Sequence, residues 1–374
     1  MMTVEKKINI GLIGSGAITR FIHVPGFQLC HEVEVLVACD ADQEIAQTTA
    51  EMFGIPNVTT DFREVITDSR IDAVVIATPN YLHRPICLEA FENRKNVLSE
   101  KPLGLTLAES KEMLKAAEES NLIHAVSFVY RFAPAMRYLK YLIDSKTLGE
   151  IRHFRAQYLQ KVPDIFLGWR SKSAQAGRAG ALGDIGPHLI DFARLLVGEI
   201  KAVSGWTKTF LPQRQVAGTT RYEDCDVDDA SGFITEFSNG ATGVFEVSRL
   251  VPGRGCGKNE FQSVEVNGTK GSAIYHLQDP FNLQVFPGHP YNDGHLYSMP
   301  VPETFLKEAE TSRRVIDHEC NVGFRYDQAF SFIQAIRGNP QCLLPTFKDG
   351  ERSQAVVDAV LESAASRKWV TVSD

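Results

Sequence analysis

No stretch of this chain approaches the ~20 consecutive apolar residues that a membrane-spanning helix requires. No run of lysine and arginine stands out either. The 39 basic side chains face 46 acidic ones, for a formal net charge of −7 at pH 7. That balance leaves no electrostatic footprint for nucleic acid or an anionic membrane as main partner. Cys-x-x-Cys pairs are absent, and the seven cysteines are an odd number scattered along the chain. They read as reduced thiols of a cytoplasmic protein. His318 and Cys320 stand close together, but two ligands without further partners do not make a metal site, and no metal is expected. Internal repeats and low-complexity linkers are lacking. Met1–Lys7 carries no apolar core of an export signal.

At 374 residues the chain is long enough for two domains with their own cores. Up to about residue 127, short apolar runs near 8–13, 33–39, 72–77, 96–99 and 122–128 alternate with helical patterns near 17–28, 42–53, 81–93 and 106–119. Apolar runs of that kind suit a doubly wound parallel sheet covered on both faces. Gly54 stops the second helix, and Thr106 with Glu109 forms a capping box for the last. The pattern then changes. Helices near 134–144 and 187–197 accompany strands near 151–160, 200–210, 228–237, 241–250, 262–267, 271–276 and 282–286, and helices near 324–337 and 350–366 close the chain. Strands following strands argue a second α+β domain with a largely antiparallel sheet. We expect domains at 1–127 and 128–374.

Asn96-Val97-Leu98 leads straight into Ser99-Glu100-Lys101-Pro102. On a parallel strand this puts a carboxylate and an ammonium at the carboxyl end, where open α/β sheets bind ligands. Pro102 fixes the turn and can hold its peptide bond cis. The first apolar run, Ile8–Ile13, opens into Gly14-Ser15-Gly16-Ala17-Ile18-Thr19. Gly14 and Gly16 fit a dinucleotide turn, one closing it tightly and one admitting the pyrophosphate, with Ala17 and Ile18 beside them. Thr19 stands where Gly or Ala is usual. Asp40 ends the second apolar run, 24 positions beyond Gly16. A carboxylate there accepts hydrogen bonds from ribose hydroxyls and repels a 2′-phosphate, so NAD is read over NADP. Asp40 can also cap the following helix.

A second cluster runs Gly177-Arg178-Ala179-Gly180-Ala181-Leu182-Gly183-Asp184-Ile185-Gly186-Pro187-His188, with Asp191 beyond. Asp184 and His188 are four apart and would share a helix face. A carboxylate there orients an imidazole for proton transfer; alternatively Asp184 caps the helix and His188 is packed. Trp169-Arg170 stacks on a cofactor or packs its own loop. Asp224, Asp226, Asp228 and Asp229 lack calcium-loop spacing and read as a solvated loop before a strand.

Taken together, Gly14-x-Gly16, Ala77-Thr78-Pro79-Asn80 with His83, Glu100-Lys101-Pro102, Arg131-Phe132-x-Pro134, Leu148-Gly149-x-Ile151 and Gly183-Asp184-Ile185-Gly186-x-His188-x-x-Asp191 resemble the Gfo/Idh/MocA oxidoreductases in order and spacing. The resemblance spans nearly the whole chain. It implies an N-terminal Rossmann domain, a C-terminal α+β domain with a large, mostly antiparallel open sheet, a nicotinamide cofactor, and sugars, inositols or related polyols as substrates. It also implies that Lys101, Asp184 and His188 form the catalytic group. Thr78, Pro79, Asn80 and His83 would line the nicotinamide side, and Glu100 would lie beside the cofactor. Val129-Tyr130 precedes Arg131, where the family frequently has Asn.

The reaction expected is reversible hydride transfer from a hydroxyl-bearing carbon to NAD, with His188, oriented by Asp184, as the first choice of base and Lys101 on the same oxygen, either as its hydrogen-bond donor or as the base itself. A glycosidase using transient oxidation and a non-catalytic dinucleotide-binding regulator are the rival readings. Strands such as Gly232–Phe237 and Ala241–Val247 outnumber the helices available to cover them. A homodimer or homotetramer through the C-terminal sheet is therefore expected.

Overall fold

Six short apolar segments build a sheet that must be covered on both faces. They are β1 (Ile8–Ile13), β2 (Val33–Cys39), β3 (Asn57–Thr59), β4 (Ala73–Ile76), β5 (Asn96–Ser99) and β6 (His124–Val126), all parallel in the order β3-β2-β1-β4-β5-β6. The coordinates are a computed structural model describing residues 6–255, 260–286, 294–306, 323–339 and 343–373; His318 and Cys320 lie outside the described residues. The connecting helices are α1 (Val24–Gln28), α2 (Gln43–Phe53), α3 (Phe62–Thr67), α4 (His83–Glu92) and α5 (Leu107–Ser120).

Alternate strand residues point to opposite faces, and the core divides accordingly. Ile13, Val37, Val74, Ile76 and Val97 pack with Val65, Ile86, Phe91 and Met113 on one side. Ile10, Leu12, Ala38, Val75 and Leu98 pack with Val24, Phe27 and Ala50 on the other. Local chemistry sets the helix ends. Asp42, not Asp40, caps α2 by accepting from Glu44 N at 2.9 Å, and Gly54 stops it in the left-handed region at φ 68°. Thr106 accepts from Glu109 N at 3.2 Å, while Glu109 reaches back to Leu105 N at 2.8 Å.

The second unit starts with α6 (Pro134–Asp144) and β7 (Ile151–Leu159), followed by α7 (Ser173–Ala176), α8 (Ala181–Asp184) and α9 (Gly186–Leu196). Strands β8 (Ile200–Lys208), β9 (Gln213–Gln215), β10 (Tyr222–Asp224), β11 (Ala230–Phe237), β12 (Thr242–Ser248), β13 (Phe261–Gly268), β14 (Ser272–His276), β15 (Asn282–Phe286) and β16 (Tyr297–Pro300) follow. The chain then runs through α10 (Asp327–Ile336) and α11 (Phe347–Ser366) to β17 (Val370–Thr371). The large sheet is ordered β16-β15-β14-β13-β7-β12-β11-β8-β17, and among its pairings only β12 with β7 is parallel. The expected hairpin closes with Gly268 N on Gly271 O at 2.8 Å. β9 and β10 form a small separate ribbon, too short for the sequence pattern to announce.

One face of this sheet is apolar and covered. Phe233 and Phe245 stack on it with ring centroids 4.3 Å apart, and Phe245 meets Phe154 at 5.3 Å. Helices α6 and α9 lie against its strands. The chain thus forms two compact units. One runs to Phe132 and takes in the later segment up to Glu351. The other holds Ala133–Leu306 and residues from Arg352 on.

Candidate active site

At the carboxyl end of β1 the chain turns through Gly14, whose φ of +94° only glycine adopts freely; a Cβ there would meet Ala77 O at 2.5 Å. A Cβ on Gly16 would meet nothing within 4 Å. The turn is therefore tight at Gly14 and its backbone uncovered at Gly16, as a pyrophosphate requires. Ala17 and Ile18 follow, both exposed. Thr19 is fully buried at the third fingerprint position and donates to Gly14 O at 2.6 Å, so its hydroxyl braces the turn.

The helix expected over 17–28 is instead a π-helical turn, Thr19–His23, followed by the short α1. Pro25 supplies the reason, since it has no N–H to continue an α ladder. Asp40 receives Ser15 N at 2.8 Å on one oxygen and Asp42 N at 3.1 Å on the other. This fixes the carboxylate at the glycine turn, and each oxygen keeps a lone pair for a ribose hydroxyl.

Beyond β4, the Thr78 hydroxyl is buried with no hydrogen-bond partner among the described residues. An orphaned donor at this carboxyl end suits a bound amide, as the nicotinamide carries. Pro79 leads into a single 3₁₀ turn, Asn80–Leu82, with Asn80 buried. His83 is fully buried, its Nδ1 2.9 Å from Pro102 O and its Nε2 3.1 Å from Thr78 O. It ties the turn after β4 to the turn after β5. Burial pushes its pKa down, against the pull of those carbonyls.

The Lys101–Pro102 bond is cis, and Lys101 is half-buried. Beside it, Glu100 Oε1 lies 2.9 Å from His23 Nε2, and its Oε2 accepts from Lys101 N at 3.1 Å. Burial alone would raise Glu100, but the hydrogen bond and charge of His23, then Lys101 and Ser127, bring it down to about 2. Arg131, of the Arg-Phe-x-Pro motif, is buried and ion-paired with Asp349 at 2.9 Å.

In the second unit, Asp184 and His188 do not share one helix. α8 ends at Asp184 and α9 begins at Gly186-Pro187, with Ile185 between them; Pro187 cannot extend α8 through itself. No side chain caps α9, so Asp184 is not its cap. Its carboxylate instead takes Arg249 Nη2 at 2.8 Å, a guanidinium only 5% exposed. His188 is buried, and its ring centroid lies 6.3 Å from that of Tyr158, whose hydroxyl donates to buried Glu260 at 2.7 Å. Asp191 is buried on α9.

The aspartates read as a solvated loop divide. Asp226 bonds Ser173, and Asp224 takes Gln213. Asp228 and Asp229 are buried, contrary to that reading. Asp228 accepts from Gly180 N at 2.6 Å and Leu182 N at 2.9 Å, anchoring the start of α8. Asp229 is held by Arg214 and the Phe210 and Leu211 amides. Their backbone donors lie at the start of α8 and in the Phe210-Leu211 segment, away from them in sequence, which is why composition alone made them look solvated. Arg170 stacks over Trp169, guanidinium carbon 4.3 Å from the ring centroid. Among the described residues no group of three His, Cys, Asp or Glu side chains is placed to hold a metal ion.

Residues 8–128 match the oxidoreductase family with an NAD-binding Rossmann fold, and residues 136–274 match the Gfo/Idh/MocA C-terminal domain. The chain belongs to the Gfo/Idh/MocA oxidoreductases. It is an enzyme of this family, and its cofactor is NAD. It is 34% identical to levoglucosan dehydrogenase of Pseudarthrobacter phenanthrenivorans, over 98% of both chains. It is 26% identical to D-glucoside 3-dehydrogenase of Escherichia coli, over 96% of both. Among solved structures it is similar to levoglucosan dehydrogenase in complex with NADH and levoglucosan, with a TM-score of 0.89 and 32% identity over 99% of this chain and 100% of that one.

Sequence reasoning missed His23, Arg249, Tyr158 and Glu260 around these Gfo/Idh/MocA motifs. One signal was available. Phe245 and Val247 alternate onto the covered face, and continuing that alternation one step past β12 points Arg249 the same way.

Proposed function

We propose that this enzyme oxidises a secondary hydroxyl of a pyranose sugar, of the levoglucosan or glucoside class, passing the hydride to NAD and the proton to the protein. The observation that carries the reading is end-to-end similarity to a dehydrogenase solved with NADH and levoglucosan, over 99% of this chain. Bound NAD supplies the hydride acceptor. The residues that would hold it are Gly14, Gly16, Ala17 and Ile18 at the pyrophosphate, Asp40 at the ribose, and Thr78, Pro79 and Asn80 on the nicotinamide side, braced from behind by buried His83, with Glu100, Trp169 and Arg170 as further cofactor residues. NADP is disfavoured by the Asp40 carboxylate.

Lys101, Asp184 and His188 form the catalytic group. His188 takes the hydroxyl proton, and Lys101 donates a hydrogen bond to the same oxygen as its negative charge develops. Arg249 holds the Asp184 carboxylate in place on the segment that carries His188. Mixing the enzyme with NAD and a panel of levoglucosan, methyl glucosides, glucose 6-phosphate and myo-inositol, followed at the NADH absorbance, tests the reading. Levoglucosan or a glucoside should be oxidised fastest; reduction of NAD by none of the panel would sink it. Lys101→Met and His188→Ala should each lower turnover about 10²–10⁴-fold. NAD affinity of His188→Ala should change little.

The assembly reading is a homodimer or homotetramer through the open face of the large sheet. Supporting it, Ile234 pairs with Val244 across β11 and β12, and Trp206 lies opposite Gly232 on β8; the three side chains are 46%, 36% and 50% exposed. No described helix is long and apolar enough to cross a membrane. The four described cysteines are unpaired thiols, which supports a reducing, cytoplasmic setting.

A further inference from the structure

His23 belongs to none of the motifs that place the cofactor or the substrate. It is nevertheless 3% exposed and aims Nε2 at Glu100 Oε1 over 2.9 Å. The second Glu100 oxygen accepts the Lys101 amide at 3.1 Å. Ser127, just past β6, is a further neighbour of this carboxylate, its single hydroxyl proton shared between Glu100 and Gln328. Its own hydroxyl is tied to Gln328 at 3.1 Å, and Gln328 donates to Val126 O at 2.8 Å. The titratable groups facing Glu100 are therefore His23 from the π-helical turn, Lys101 in the same turn, and buried His83 from α4.

Burying an ion pair is a poor way to gain stability, because apolar residues of the same volume serve as well or better. A buried carboxylate is retained where its charge has a use. Here the charge touches the backbone of the lysine that contacts the reacting oxygen. We propose that His23 is a positioning residue for hydride transfer: it holds the Glu100 carboxylate against Lys101, and so couples the glycine-turn segment to the catalytic turn. This rests on Lys101 belonging to the catalytic group.

The physical consequence follows from what His23 opposes. With His23 removed, burial acts on Glu100 with only Lys101 and Ser127 against it. The carboxyl then takes up a proton at higher pH, and Lys101 loses its fixed anionic neighbour. Histidine is suited to this because one ring nitrogen donates from a rigid, short side chain.

The experiment compares the full-length wild type with His23→Leu, His23→Gln and Glu100→Gln, using NAD and levoglucosan. In His23→Leu, kcat should fall about 10-fold or more from misplacement of the lysine, with little change in KM. Its kcat/KM profile should gain an acid limb about one pH unit or more above that of the wild type. His23→Gln, which restores an N–H donor toward Glu100, should recover most of the loss and return the limb. Infrared difference spectra on acid titration, without substrate, should show a protonated carboxyl band at higher pH in His23→Leu. That band should be missing from the His23→Leu/Glu100→Gln double variant.

A pH profile parallel to the wild type, or a carboxyl band titrating where the wild type's does, would overturn the proposal. So would failure of His23→Gln to rescue. If His23→Leu does not fold, His23→Asn, whose shorter amide draws back from Glu100, takes its place under the same criteria. Should the wild type not oxidise levoglucosan, the substrate reading fails, and the infrared titration still decides the role of His23.

Discussion

The Arg249–Asp184 pair yields an asymmetric prediction. The guanidinium is 5% exposed and the carboxylate 33%. Arg249→Met leaves a carboxylate that water still reaches, which costs about 1 kcal/mol, in the range of screened pairs. Asp184→Asn leaves a guanidinium that stays dry and has lost its ion-pair partner, with buried Asp228 as a remaining anionic neighbour, and such broken pairs cost about 3–5 kcal/mol. Asp184→Asn should therefore be the more damaging by about 2 kcal/mol or more, although it removes the smaller side chain. The three tryptophans, Trp169, Trp206 and Trp369, all lie in the second unit, so intrinsic fluorescence during urea unfolding reports that unit alone. The double variant isolates the pair, since Asp184 has other contacts whose loss a single substitution would include. It should be more stable than Asp184→Asn by itself. Equal costs for the two single changes, a reversed order, or strict additivity in the double variant would refute the reasoning.

Asp40→Ala should weaken NAD and narrow the gap to NADP. NAD at ~100 times its dissociation constant stabilises the wild type by about 2.7 kcal/mol, so thermal shifts with each dinucleotide read the change, and unaltered preference would absolve Asp40. Glu100, held at about 2 instead of its ordinary 4.5, contributes about 3 kcal/mol of stability. Its folded value is depressed, so this stability is present above pH 4.5 and is lost as pH falls toward 2. Acid unfolding of Glu100→Gln should show a shallower slope in that window, and an unchanged slope would contradict the assignment. Ile234→Lys should break the oligomer on sedimentation without lowering the melting temperature of the unit that carries it; an unchanged assembly would remove the open face from consideration.

Much of the fold is legible because the decisive patterns are local. Apolar runs of four to seven residues bounded by caps and glycines give five of the six parallel strands directly, while β3, Asn57-Val58-Thr59, is too short and has too little apolar character to stand out; Asn267–Gly271 announces the β13–β14 hairpin. The glycine turn, Asp40 and Glu100-Lys101-Pro102 are likewise contiguous signals at strand ends. What stayed hidden depends on contacts far apart in sequence. His23 and Glu100 are 77 residues apart, and Arg249 and Asp184 are 65 apart. The split of the Asp184–His188 segment was in the sequence, since Gly186-Pro187 stands between them, but a four-residue spacing suggested an unbroken helix. Asp228 looked solvated because nothing local reveals that Gly180 and Leu182 donate to it.

The first unit has a consequence for how the protein can be made and dissected. Ala329, Phe332 and Ile333 of α10 sit in the same apolar cluster as Ile10, Leu12, Val24 and Phe27. On the other face, Phe347 joins Ile86, Phe91 and Met113. Each face of the nucleotide-binding sheet is thus sealed by side chains that leave the ribosome some two hundred residues after the sheet itself. Until then the nascent unit carries an incomplete core, and at ~5–20 residues per second of synthesis that interval lasts roughly 10–40 seconds. Cutting the gene after the last parallel strand would make the gap permanent. The boundary of a sequence family and the boundary of something that folds are, in this protein, different places.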